Sequence, residues 1–82
     1  MNYYKVVTKE LTSKSQDSTY ETLQKPFGGV GVPTSSTEWV VASPLDKQDF
    51  LKHLVNICGA DIRDITPIGE KAIPPEVWEE LK

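Results

Sequence analysis

"TEWVVASPLDKQDFLKHLVNICGADIRDITPI", residues 37–68, decides the fold, because it reads as a strand, a helix and a second strand with almost no chain between them. In "TEWVVAS" (37–43), Trp39 and Val41 point one way and Val40 and Ala42 the other. Both faces are apolar, as in a strand that is covered on both sides and central to its sheet. In the following "SPLDKQDFLKHLVNICGA", Ser43 is placed as N-cap, Pro44 takes the first helical position, where its missing N–H costs nothing, and Asp46 stands three residues past the cap. Phe50, Leu51, Leu54, Val55 and Cys58 recur at the offsets of one helical face, Ile57 widens the stripe, and Gly59 stops it. The spacing predicts a helix over 44–58 with these side chains in the core.

In "ADIRDITPI" Ile62, Ile65 and Ile68 recur every three residues instead of every two, which points to a bulge near Arg63 and Asp64 or to a strand that begins only after them. A strand, helix and strand joined this tightly form a right-handed crossover, which makes its two strands parallel.

Outward from this unit, "YYKVVTKEL" (3–11) is rich in aromatic and β-branched residues and reads as the first strand. "TSKSQDST" (12–19) has no apolar residue and reads as an exposed loop. "YETLQK" (20–25) alternates weakly before Pro26 and reads as a short edge strand. At the other end, "IGEKAIPPEVWEELK" (68–82) predicts a short helix: Pro75 in the first turn, Glu76 at the positive end of the dipole, and Val77, Trp78 and Leu81 on one face. Ile73 is placed to staple against Trp78, and a helix of two turns must dock to persist. The expected fold is α+β: one domain over residues 1–82, with a small mixed sheet of three to four strands. One long helix and a short C-terminal helix lie on one face, in the order β-β-β-α-β-α.

A chain of 82 residues buries only about 60–65% of its unfolded surface, so the core is small. A lone cysteine, Cys58, cannot close a disulfide within the chain or build a thiolate metal cage, which fits a reducing compartment. "MNYYKVVTKEL" lacks the basic and apolar regions of a signal peptide, and no segment has the roughly 18 apolar residues of a membrane span. The expected location is cytoplasmic, in a host or producing cell, with no membrane partner.

The net charge of −3 is unevenly spread. Residues 1–36 carry four lysines against three acids, and residues 37–82 carry five bases against nine acids. With one arginine and no basic run, the chain is a poor match to a phosphate backbone, which disfavours nucleic acid.

"KPFGGVGVPTSS" (25–36) invites a phosphate reading. Gly29 and Gly31 fill two positions of a dinucleotide fingerprint, but the third falls on Thr34 and a strand follows where a helix must start. Pro33, Thr34 and Ser35 likewise fail the nucleoside-triphosphate loop. A flexible turn or hairpin connection is the better reading, available as a contact loop. His53 has Asp49 four residues before it on the polar face of the helix, an arrangement that could orient a general base. It more often marks a solvated pair. Cys58 sits at a helix C-terminus on the apolar side, where a thiolate is disfavoured.

These features point to a non-enzymatic protein-binding module without cofactor or metal, monomeric or homodimeric, that occupies a surface of a larger protein, basic partners included. Small inhibitors and accessory proteins of mobile elements, viral proteins among them, fit the size. The candidate contacts are Tyr3, Tyr4 and Tyr20, the glycines Gly28, Gly29 and Gly31, the acids Glu76, Glu79 and Glu80, and the weak edge strand, open to strand addition. The alternatives are a small enzyme or enzyme subunit using Asp49 and His53, and a weak nucleic-acid binder using Lys5, Lys9 and Lys14.

Overall fold

A computed structural model describes residues 1–10 and 18–81, the side chain of Ser18 excepted. Its elements are β1 (Asn2–Thr8), α1 (Ser18–Gln24), β2 (Val30–Pro33), β3 (Glu38–Ser43), α2 (Lys47–Cys58), β4 (Ile62–Ile68), a 3-10 turn over Glu70–Ala72, and α3 (Pro75–Leu81). The α+β class, the long helix and the short C-terminal helix follow the sequence reading. Leu11, Lys14 and most of the loop expected over 12–19 lie outside the described residues.

The sheet order is β2-β3-β1-β4, and every neighbouring pair is antiparallel. β3 and β4 therefore run parallel, as the crossover requires, but β1 lies between them. In the same way β1 and β2 run parallel with β3 between them. Two interleaved β-α-β units result, the ferredoxin-like or split β-α-β arrangement. The expected mixed sheet is corrected accordingly: the parallel strands are never adjacent.

Residues 20–25, expected as an edge strand, belong instead to helix α1 and the turn that ends it. Leu23 is fully buried in the core cluster and Tyr20 packs against it, so tertiary burial decides a segment whose own pattern is weak. The strand on that side is β2, inside the glycine stretch.

Helix α2 also starts later than the expected residue 44. Ser43 is still in β3, paired with Asn2, and its Oγ accepts a hydrogen bond from the Leu45 N–H at 3.2 Å. The Leu45 carbonyl accepts from the Tyr4 hydroxyl at 2.8 Å and from Asn2 Nδ2 at 3.0 Å, which ties this connection to β1. Asp46 is the N-cap, its carboxylate accepting from the Asp49 N–H at 2.9 Å. Asp46→Ala is expected to cost about 1 kcal/mol and to lower the midpoint of a thermal melt by about 4–8 °C. An unchanged melt would return the cap to Ser43.

The helices cover both faces of the sheet. On one face α1 and α2 enclose Tyr4, Val6, Trp39, Val41 and Ile65 with Leu23, Phe50, Leu54 and Cys58. On the other, α3 brings Val77, Trp78 and Leu81, with Ile73, onto Val32, Val40, Tyr3 and Ile68. The single helical layer expected from sequence is thereby corrected: β3 is apolar on both sides because each side has a helix.

Of the two readings of the isoleucine spacing, the structure has the bulge and not the late strand start. Val7 pairs with Asp64 and the next residue, Thr8, with Ile62, so Arg63 is the extra residue. Ile62 and Ile65 consequently share one face although they are three apart, while Ile68 points to the other.

Both open edges are interrupted. The Thr8 N–H donates to the Thr37 carbonyl on the β3 side, and the Lys9 N–H donates to the Asp61 carbonyl on the β4 side. Even-numbered residues of β1 thus bond toward β3 and odd-numbered ones toward β4. Carried through the register, this alternation turns Pro67 of β4 and Pro33 of β2 outward. Each edge lacks a donor where an added strand would need one.

Candidate functional site

Helix α2 was expected to bury one broad stripe, and the structure divides that stripe. Phe50, Leu54 and Cys58, spaced by four, are buried; Phe50 stacks on Tyr4 with ring centroids 4.4 Å apart, and Cys58 Sγ donates to the Leu54 carbonyl. Leu51, Val55 and Ile57 are 41%, 51% and 54% exposed. At about 100° per residue, Leu51 and Val55 lie on one shoulder of the helix and Ile57 on the other.

Leu51 and Val55, with Gln48, Lys52 and Asn56, line a shallow groove of about 570 Å³. The opposite shoulder carries His53, whose ring meets Phe27 edge-on with centroids 5.5 Å apart. His53 Nδ1 lies 2.8 Å from the backbone carbonyl of Asp49, to which it donates. The contact within the Asp49 and His53 pair is therefore made by a main-chain carbonyl. Among the described residues, no group of three or more His, Cys, Asp or Glu is placed to hold a metal ion.

The remaining candidates are dispersed. Tyr4 is only 2% exposed and offers no surface; burial, and then the Asp46 carboxylate, push its hydroxyl above the usual phenol range. Tyr3 is half-buried against Trp78, and Tyr20 half-buried edge-on to Trp39. Glu76, Glu79 and Glu80 are exposed on α3, on the far side of the sheet from α2.

Within the glycine stretch, Phe27 and Gly28 have positive φ and form a turn in which the Gly29 N–H donates to the Pro26 carbonyl. Gly29 and Gly31 sit where a Cβ would collide with the carbonyls of Ala42 and Leu23. Close backbone approach therefore accounts for both. The turn and the hairpin connection expected here are both present, the hairpin being β2 against β3, while the strand β2 itself was not expected.

Lys5 and Lys9 pair with Glu38 and Asp61 at 3.1 and 3.0 Å. Asp61 also accepts from Thr19 Oγ1 at 2.5 Å, joining the start of α1 to the start of β4. The Thr19 hydrogen bond, and after it Lys9, hold the Asp61 carboxyl below the usual carboxylate range. A depressed folded-state pKa stabilises the fold at pH values above the unfolded pKa, about 4, and that stabilisation is lost as pH falls through the folded value. Asp61→Asn is expected to lower stability at neutral pH, with the deficit shrinking below about pH 4. Urea titrations at several pH values measure it, and a deficit constant with pH would remove this role.

Fold and surface together define a small ferredoxin-like α+β domain with an added helix on its second sheet face and an apolar shoulder on α2. Among the described residues no helix is long and apolar enough to cross a membrane. Compared with protein-family models, with curated proteins and with solved structures, the chain matches none. The exposed shoulder of α2 was missed in the sequence because its residues fit the core pattern. A signal was available: residues 50, 51, 54, 55, 57 and 58 span a wider arc than one sheet face covers.

Proposed function

We propose that the protein is a non-enzymatic binding module that acts by occupying a surface of a larger protein, with the outer shoulder of α2 as its contact. One observation carries this reading: Leu51 and Val55, one helical turn apart, stand about half exposed on α2 in a domain with few apolar side chains to spare. Withdrawing the exposed half of each from water contributes roughly 1 kcal/mol per side chain. The outward prolines make side-chain docking on a helix a more favourable route than strand addition. A small inhibitor or accessory protein, including those of viruses and other mobile elements, is a role in keeping with this architecture. The cytoplasm suits a chain whose lone cysteine is a buried thiol.

The enzyme alternative gains nothing from His53, whose one described hydrogen bond goes to a main-chain carbonyl. Of the lysines suggested for nucleic acid, Lys5 and Lys9 are engaged by carboxylates.

The test is cross-linking of the full chain in a lysate of the producing cell, compared with the double variant Leu51→Glu, Val55→Glu. Both substitutions put a good helix former at an exposed position, so the melting temperature is expected to stay within a few degrees while the captured partner is lost. Equal capture by the variant would sink the assignment of the surface. An activity that disappears in His53→Ala at unchanged melting temperature would sink the module itself.

A further inference from the structure

We infer that the groove along Leu51 and Val55 is a docking site for an amphipathic helix of a partner protein, one whose apolar stripe is flanked by Asp or Glu. This deepens the binding-module reading and rests on it. The warrant is the segregation of charge around α2. Each residue advances the helix by about 100°, so Leu51 and Val55, four apart, fall side by side on its surface. Lys47, four residues before Leu51, flanks the pair on the side nearer the core stripe. Lys52 flanks it on the side facing solvent. The helix's own acid, Asp49, falls beyond Lys52 on the shoulder of His53, away from the groove.

The described lining of the groove contains Lys52 and two amides, and no carboxylate. Among the described residues neither Lys47 nor Lys52 is in an ion pair, whereas Lys5 and Lys9 on the sheet each have one. A chain of net charge −3 therefore keeps one cation on each side of an uncovered aliphatic pair. An acidic amphipathic helix complements both features, placing its stripe on Leu51 and Val55 and its carboxylates at Lys47 and Lys52. The acids of α3, which on sequence suggested a basic partner, lie across the sheet and do not line this groove.

The experiment uses the full chain and two synthetic peptides of about 18 residues, long enough to be helical in water. They share one leucine stripe, flanked by glutamate in one and by lysine in the other. Amide and methyl chemical shifts are followed by NMR. The glutamate peptide is expected to shift Gln48, Leu51, Lys52, Val55 and Asn56 and to bind at least about tenfold more tightly than the lysine peptide. Lys47→Glu with Lys52→Glu is expected to invert that order. Since all these positions are exposed, the unchanged spectrum of the remaining residues shows that each variant is folded.

Equal affinity for the two peptides, shifts centred elsewhere, or no binding at millimolar peptide would overturn the inference. So would concentration-dependent self-association mapping to the same residues, or perturbation of them by phosphatidylserine vesicles and by neither peptide. A partner captured by the wild-type chain and retained by Leu51→Glu, Val55→Glu would leave the module standing and remove this groove from it.

Discussion

Gly31→Ala is expected to lower the melting midpoint by more than about 12 °C. Gly31 is the second residue of β2, opposite Val41, and the carboxyl end of α1 lies directly against it. A Cβ built there stands 1.7 Å from the Leu23 carbonyl oxygen and 2.8 Å from its carbon. Both are backbone atoms, so no rotamer change relieves the clash. Either α1 must lift from the sheet, exposing Leu23, or β2 must leave its register with β3. Ordinary overpacking costs about 1–3 kcal/mol, and this case exceeds it because a whole helix has to move. The total stability of a domain this size is about 4–12 kcal/mol. Gly69→Ala is the control: nothing lies within 4 Å of its added methyl, so its effect is expected to stay within about 0.5 kcal/mol. Thermal melts followed by circular dichroism compare the two, and a Gly31→Ala chain that melts with the wild type would show that α1 does not seat here.

The second large effect is at Phe50. Its side chain is fully buried, stacked parallel on Tyr4 and meeting Phe27 edge-on with centroids 6.2 Å apart. Phe50→Ala is expected to cost about 3–5 kcal/mol, the usual range for an aromatic removed from a packed core. The loss includes about 0.5–1.5 kcal/mol from the ring pair with Tyr4. Leu51→Ala, one residue along the same helix, is expected to cost less than about 1 kcal/mol, because much of that side chain is already in water. Urea midpoints give both numbers. The contrast is the informative result: comparable losses at the two positions would mean that Leu51 belongs to the core, and the docking surface would disappear with it.

The sequence carries more of this fold than of its surface. β1, β3, α2 and α3 follow from local pattern, since each has enough apolar residues at a definite period to outweigh its alternatives, whereas the isoleucine spacing of β4 is compatible with a bulge or with a later start. α1 does not, because seven residues with one strong core side chain, Leu23, have no period of their own and become helical through contact. β2 is hidden by glycines whose purpose is to let a helix carbonyl and a strand approach, a requirement visible only once both neighbours are placed. At α2 the apolar pattern announces a helix but not how far around it the core extends. That limit depends on the width of the sheet beneath and on where α1 lies, so Leu51 and Val55 read as core. The tyrosines mislead for the converse reason: Tyr4 lies on a strand face that α2 covers.

The interleaving of the two β-α-β units governs how the chain can come apart. β1 fills the gap between β3 and β4, and β3 fills the gap between β1 and β2, so each half of the sequence supplies the strand the other half lacks. Neither half has a complete sheet to fall back on. Unfolding should therefore be a single event with no half-folded resting state, and a chain emerging from the ribosome cannot close its sheet until residue 68 is available. An early stop inside β4 removes the neighbour that β1 needs, so a truncation of a few strand residues threatens the whole domain.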